Sequence, residues 1–271
     1  MVTQEQRKRQ LAREKFLRQQ QRRTALRRKA RARNAVIASV LGVVLVGSLA
    51  LYTTGVLKDD DKANASSEAS PSASPSAVKD PCEKPAEGAV KTQTWKKEPA
   101  ITIDKSAKYT MKLATTCGDI DVALKTSAAP HTVNSFAFLA GKGYFDHTKC
   151  HRLTTNGIFV LQCGDPTGSG SGGPGYTIPD ENLKDTSLKA NVYPAGTVAM
   201  ANTGQANSGG SQFFLVYEDS QLPPSYTPFG TVSEAGMAVL KKIAAAGENT
   251  GAGDGAPNAT VVIDKATVTK S

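Results

Sequence analysis

From Asn34 to Leu57 the chain carries no charged residue, and the run "AVIASVLGVVLVGSLALY" within it is almost wholly apolar. A helix of these 24 residues would be about 36 Å long at ~1.5 Å per residue, enough to cross the ~30 Å hydrocarbon core of a bilayer. The stretch can be an uncleaved single-pass anchor or the apolar part of a cleaved signal, with Ser48-Leu49-Ala50 as a small-x-small site. Its length, and the long basic region before it, favour the anchor. Residues 1–33 hold 13 Lys/Arg against two acids, Glu5 and Glu14, while the other 238 residues hold 20 Lys/Arg and 22 Asp/Glu. The formal charge of +9 therefore belongs to the tail and not to the body of the chain. Lys/Arg before the span and Asp59, Asp60 and Asp61 after it orient the N-terminus to the cytoplasm and place the rest outside. The tail could bind nucleic acid or calmodulin-like partners, but a topology signal that touches anionic headgroups is the better reading, since such juxtamembrane clusters need no specific partner. A nucleic-acid enzyme would more often carry its basic patch on the fold, so no specific nucleic acid is expected.

The composition then changes twice. Residues 58–106, with "ANASSEASPSASPSAVKD", are rich in Ser, Ala and Pro and read as a disordered linker, a stalk too poor in large apolar residues to fold. From residue 107 to 271 the texture is that of a folded domain. "YTMKLATTCGDIDVALK" holds two alternating runs about Gly118, which predicts a hairpin. "APHTVNSFAFLAGKGYF" predicts a helix, with Val133, Phe136 and Leu139 at helical spacing and Gly141 near its end. Short strands are expected in "GTVAMAN", "SQFFLVY" and "ATVVIDKATV". A second helix fits "EAGMAVLKKIAAAG", with Met237, Leu240 and Ile243 on one face. Many short strands, Gly/Pro turns and only two helices predict a mainly β domain, a closed or nearly closed barrel with the helices packed on it.

Cys82, Cys117, Cys150 and Cys163 all follow the apolar span, in a compartment where disulfides persist on this topology. Four cysteines allow three pairings. If 151–162 is a hairpin, Cys150 and Cys163 face each other across its open end. The preferred pairs are then Cys150–Cys163, and Cys82–Cys117 tying the stalk to the first hairpin. Free thiols remain an alternative. A zinc site of Cys150, His151 and Cys163 is disfavoured because no C-x-x-C accompanies it.

Several chemistries find no support. The glycine-rich "GDPTGSGSGGPG" is not followed by the Lys-Ser/Thr of a phosphate-binding loop. Neither G-x-S-x-G nor H-E-x-x-H occurs. His151 and Ser211 could begin a hydrolase, but nothing places a third member. What does occur is an ordered set: "HR" at 151–152, "GIFVLQCGD" at 157–165, "GSGG" at 170–173, "VAMANTG" at 198–204, "GGSQFFLVY" at 209–217 and "QLPPSYTPFGTV" at 221–232.

This set resembles the cyclophilins, peptidyl-prolyl cis-trans isomerases, over roughly residues 107–271 and in the same order. It is most similar to the membrane-anchored or secreted members of high-GC Gram-positive bacteria. The resemblance implies an eight-stranded antiparallel β-barrel capped by two α-helices, here preceded by one transmembrane helix and the disordered linker. It implies Arg152 as the catalytic arginine and Gln162 as its polar companion. It implies a substrate site of Phe159, Val160, Gly170, Ala201, Asn202, Thr203, Gln212, Phe214, Leu222 and Tyr226, with Phe159, Val160, Phe214 and Leu222 as the proline socket. There are departures. "TTNG" is about two residues longer than the family's turn and the 204–210 loop about one longer. Gln221 stands where many members carry a tryptophan that contacts cyclosporin, and Tyr226 where many carry histidine.

The chemistry that the resemblance implies suits these residues. An X-Pro bond prefers trans only slightly, yet its rotation barrier is near ~20 kcal/mol. A catalyst of that rotation needs no nucleophile, metal or cofactor. It needs an apolar socket for the ring and a donor for the prolyl nitrogen, which gains a lone pair as the bond twists. The expected partners are proline-containing polypeptides, exported proteins on this topology, and the cytoplasmic membrane through residues 34–57. A binding module or holdase using the same groove is the alternative reading, and retention of Arg152 speaks for the enzyme.

Overall fold

The computed structural model describes residues 80–270. The basic tail, the 34–57 span and the linker as far as residue 79 lie outside the described residues. Among the described residues, no helix is long and apolar enough to cross a membrane.

In chain order the elements are β1 (Tyr109–Thr115), β2 (Gly118–Leu124), α1 (Pro130–Gly141), β3 (Thr148–Lys149), β4 (Arg152–Thr154), β5 (Val160–Cys163), a 3-10 turn (Lys189–Asn191), β6 (Val192–Tyr193), β7 (Thr197–Met200), β8 (Phe213–Val216), β9 (Ser220–Gln221), β10 (Pro228–Val232), α2 (Glu234–Ala245), β11 (Asp254–Gly255) and β12 (Val262–Lys270). Ten strands form one curled antiparallel sheet in the order β11-β4-β5-β8-β7-β10-β2-β1-β12-β3, and β6 pairs with β9 apart from it. The domain is mainly β with two helices, as the strand and helix pattern predicts. The strand count differs from eight. Segment 148–154 is interrupted at Cys150 and His151 into two short strands, of which β3 pairs with β12 and β4 with β5, and β11 adds at the β4 edge.

The apolar runs in β5, β7 and β8 are explained by burial on both faces, which removes the usual alternation. One face of these strands presents Leu161, Cys163, Val198, Met200, Phe213 and Leu215 to the main core. There Phe136 of α1 packs against Phe145, Phe213 and Phe229 at ring separations of 5.2, 5.4 and 4.6 Å. The other face presents Val160, Ala199, Phe214 and Val216 to a second, smaller cluster around Tyr193.

Both predicted helices form, and their apolar faces bury Val133, Phe136 and Leu139 in α1 and Leu240 and Ile243 in α2, with Met237 partly covered. The two start differently. Ser233 caps α2, its hydroxyl accepting from the Gly236 amide at 3.1 Å. α1 has Pro130 at its start and no cap of its own. Its free amides at His131 and Thr132 donate to the Glu181 carboxylate at 3.0 and 2.9 Å, so a distant loop satisfies them.

Residues 80–106 correct the linker reading, which runs too far. They form no helix or strand, yet they lie along the domain as a strap. Cys82 is bonded to Cys117, and the Glu83 amide donates to the Thr116 carbonyl at 2.8 Å. The Trp95 ring packs on Phe138 and Tyr144 at 5.1 and 5.8 Å. Buried Asn134 accepts from the Thr102 amide at 2.9 Å and donates to the Pro99 and Ala100 carbonyls. Composition misleads here because three well-spaced anchors, Cys82, Trp95 and Ile103, are enough to hold an irregular segment whose backbone bonds to the domain.

The glycine-rich loop is built on Asp165, which has no exposed surface. Its carboxylate accepts from the amides of Thr167, Gly170 and Gly172 at 2.7, 2.6 and 3.0 Å, and from the hydroxyls of Thr167 and Ser169 at 2.8 and 3.3 Å. A side chain at Gly172 would collide with that carboxylate. These loop amides point inward to an acid of the protein, so they do not offer a phosphate cradle.

Two outcomes are expected. Replacing Trp95 with Ala should lower unfolding stability in urea by about 2 kcal/mol, the value of one large apolar side chain. Burial alone would raise the Asp165 pKa, but the Gly172 amide, the Thr167 hydroxyl and the other amides outweigh it and hold it at about 2. That lies below the unfolded value of about 3.9. Asp165 should therefore stabilise the fold fully above about pH 4, and this contribution should fade as pH drops towards 2. Asp165→Asn should be less stable at neutral pH and lose less stability on acidification, measured by urea unfolding at each pH.

Candidate proline-binding site

The site is organised by the β4–β5 hairpin. Its register pairs Arg152 with Gln162 and Leu153 with Leu161. Period-two alternation then sends Leu153 and Leu161 to the main core and leaves Arg152 and Gln162 on the other face. Cys150 and Cys163 close the hairpin's open end as a disulfide with Cα atoms 4.1 Å apart, so both preferred cysteine pairs form and neither thiol is free for a metal.

A chain of hydrogen bonds fixes the polar residues. The Arg152 guanidinium donates from Nε and Nη2 to the two Asp254 oxygens at 2.7 and 2.8 Å, and from Nη1 to Gln162 Oε1 at 3.1 Å. Gln162 Nε2 donates to Gln212 Oε1 at 2.9 Å, and Gln212 Nε2 to the Gly172 carbonyl at 2.9 Å. Three of the arginine's five N–H donors are thereby committed, and the remaining two can donate elsewhere. The bond to Asp254 raises the arginine's pKa and lowers the aspartate's, so both stay charged at neutral pH. Asp254 arrives through a diagonal neighbour relation: it pairs with Thr154 across β11–β4, two residues from Arg152. Its loop is held by Glu248, which accepts from the Thr250 and Gly253 amides at 2.6 and 2.8 Å.

Beside the arginine lies a cavity of about 190 Å³ lined by Arg152, Ile158, Val160, Gln162, Ala201, Asn202, Phe214, Leu222 and Tyr226. That is side-chain size, below the ~300–1,000 Å³ of typical small-molecule pockets. Phe214 and Tyr226 meet edge to face at 5.4 Å. Tyr193 braces this wall from behind, its hydroxyl donating to the Tyr226 carbonyl at 2.8 Å. An open groove of about 1000 Å³ continues from the cavity and shares Gln162, Ala201 and Asn202 with it. Among the described residues, the backbone N–H and C=O of Asn202 make no hydrogen bond.

The structure gathers most of the expected residues but divides them. Arg152, Gln162, Val160, Phe214, Leu222 and Tyr226 meet at the cavity. Gly170, Thr203 and Gln212 line the groove, and Ala201 and Asn202 border both. Phe159 is a correction. Alternation along the strand turns it away from Val160, onto Tyr217 at 5.9 Å and the main core, and Ile158 occupies the cavity face instead. Ile158, Tyr193 and Asp254 escaped the sequence reading. Alternation from Val160 could have found Ile158. Nothing local marks Asp254, which is 102 residues from its partner.

The hydrolase alternative fails on geometry. Ser211 is buried, and its hydroxyl donates to the Gly164 carbonyl at 2.7 Å and meets the Tyr144 hydroxyl at 3.3 Å. Both ring nitrogens of His151 are buried without a hydrogen-bond partner, and burial holds its pKa below the ordinary value. No nucleophile–base contact exists between them.

Comparison with known proteins agrees with this geometry. Residues 110–268 match the family model described as cyclophilin type peptidyl-prolyl cis-trans isomerase/CLD. The chain is 51% identical over 166 residues to a Mycobacterium leprae protein named "Probable peptidyl-prolyl cis-trans isomerase B", covering 58% of this chain and 56% of that one. It is 48% identical over 165 residues to a protein of the same name from Mycobacterium tuberculosis, covering 58% and 53%. The chain thus spans about half the length of these curated relatives. A Cryptosporidium parvum cyclophilin type peptidyl-prolyl cis-trans isomerase superposes with a TM-score of 0.51 at 26% identity, covering 60% of this chain and 99% of that one. A second structure of that parasite protein, in the presence of the dipeptide Ala-Pro, gives a TM-score of 0.50 at 27% identity and the same coverage. With a family model matched over more than half its length and a fixed arginine beside a side-chain-sized apolar cavity, this chain belongs to the cyclophilin-type peptidyl-prolyl cis-trans isomerase family.

Proposed function

We propose that the chain catalyses cis-trans rotation of X-Pro bonds in polypeptides. The observation that carries this reading is the cavity of about 190 Å³ with Arg152 at its wall, immobilised by Asp254 and Gln162. The prolyl ring enters against Val160, Phe214, Leu222 and Ile158. The substrate backbone pairs with the free N–H and C=O of Asn202, which holds one side of the rotating bond. Rotation breaks amide resonance and leaves a lone pair on the prolyl nitrogen. A remaining N–H of Arg152 donates to that lone pair, and this bond exists fully only in the twisted state, so it lowers the barrier. No proton is transferred and no covalent bond is made. The names of the mycobacterial relatives, and the Ala-Pro used with the parasite protein, support the same substrate class.

We further propose that the enzyme acts on exported proteins from a membrane tether, on the strength of the uncharged 34–57 span and its basic flank. A protein that stays with membranes through alkaline washing, with residues 80–270 open to protease on the outer side, would support this. Release of a soluble product starting near Leu51 would reject the tether.

Three outcomes test the catalytic reading on a short X-Pro peptide. Arg152→Ala should cut kcat/KM by about 10²–10³, the typical cost of one preorganised donor, with the fold intact by thermal unfolding. Near-normal turnover in that variant would instead favour a binding module. Asp254→Asn, which keeps one acceptor but loses the charged fork, should cost roughly three- to tenfold in kcat with little change in KM. The rate should be flat from about pH 6 to 9, because Arg152 is held protonated and His151 contacts no reacting group.

A further inference from the structure

The groove beside the cavity has a wall that the family match does not include. The match begins at residue 110, yet Lys96, Lys97 and Glu98 of the strap line the groove. The strap is tied there. The Trp95 amide donates to the Pro174 carbonyl at 2.8 Å, its ring lies on Phe138 and Tyr144, and its carbonyl passes so close to Gly175 that a Cβ there would sit 2.8 Å from it. Gly175 also has φ +86°, a conformation glycine adopts without steric cost. Loop and strap are thus shaped to each other.

The charge along this wall is one-sided. Among the described residues, Lys96, Lys97 and Glu98 are the only charged residues that line the groove. Glu98 is engaged, with its carboxylate 2.7 Å from His131 Nδ1. Buried Asp165, below the loop, is surrounded by donors of its own. Among the described residues, neither lysine has an ion-pair partner. Both are exposed. A polypeptide with its proline in the cavity and its backbone on Asn202 must run into this groove, since the two share Gln162, Ala201 and Asn202. At ~3.3 Å per extended residue, side chains a few positions from the proline would run along the groove wall that the strap forms.

We propose that the strap completes the substrate groove and that Lys96 and Lys97 select polypeptides carrying Asp or Glu within a few residues of the proline. This rests on the isomerase reading and adds to it a substrate class. It also gives the segment before the family domain a task in recognition.

The test uses the full chain in neutral detergent and X-Pro peptides with Glu, Gln or Lys at each position two to four residues before or after proline. Glu should exceed Lys in kcat/KM by about three- to tenfold at one or two positions, the scale of one or two partly exposed ion pairs. The ratio should fall towards one near 1 M salt, where the screening length is only about 3 Å. Lys96→Glu with Lys97→Glu should reverse the order, and the milder Lys96→Gln with Lys97→Gln should abolish it, with thermal unfolding showing that both variants fold. Equal rates for all peptides, or a preference that neither variant alters, would overturn the proposal. Binding provides a separate readout through fluorescence of Trp95, the protein's one tryptophan. Glu-selective binding without turnover would keep the strap's role and reject the isomerase reading, whereas turnover that ignores charge would reject only the strap's role.

Discussion

The pairing of Arg152 with Gln162 across β4 and β5 is the constraint on which the rest of the site depends. A slip of one residue would exchange every side chain between the two faces of the hairpin. Leu153 and Leu161 would leave the main core, and Arg152 and Gln162 would enter it uncompensated. The Cys150–Cys163 bridge just beyond the paired residues, and the burial of Leu153 and Leu161, oppose that slip. The same segment joins two parts of the curled sheet, because β3 on one side of His151 pairs with β12 while β4 on the other pairs with β5. The element that carries the arginine is therefore anchored on both sides.

A second consequence concerns the two faces of β5, β7 and β8. A half-exposed sheet would show polar residues at every second position. Here β7 and β8 are buried along their whole lengths, because one face meets the main core with its aromatic cluster around Phe136 and the other meets Tyr193 and Tyr226. The cavity beside Arg152 is a gap in the second, smaller cluster. Its walls are packed by residues with structural partners, so the gap exists before any peptide arrives. Such preorganisation suits a reaction whose transition state differs from its ground state by a twist and a lone pair.

Polar order in the site comes from residues that are far apart in the chain. Asp254 orients Arg152, Gln212 orients Gln162, and the Gly172 carbonyl orients Gln212. Asp165 organises the loop that supplies Gly172, and the strap lies against that loop through Trp95 and Pro174. The groove, the loop and the strap therefore act as one wall.

By itself the sequence determined the local elements and the chemical type of the site. The Gly118 hairpin, the two helices and the terminal strand follow from periodicity and turn residues, which depend on near neighbours. Arg152 and Gln162, at the polar ends of an apolar strand, were legible because their order along the chain resembles a known family. Cys150–Cys163 was legible because its partners flank one hairpin. The tertiary structure alone decided which side chains meet. Phe159 points away from the cavity because a strand alternates and its register is set by β8, not by neighbouring residues. Asp254 reaches Arg152 because β11 folds back on β4 across 102 residues, and no local pattern records that approach. Glu181 caps a helix that has no cap of its own. Residues 80–106 look unfoldable by composition and are held in place by a few anchors whose partners lie elsewhere. Short-range preferences write elements into a sequence. Contacts that depend on the closure of the whole sheet decide what those elements do together.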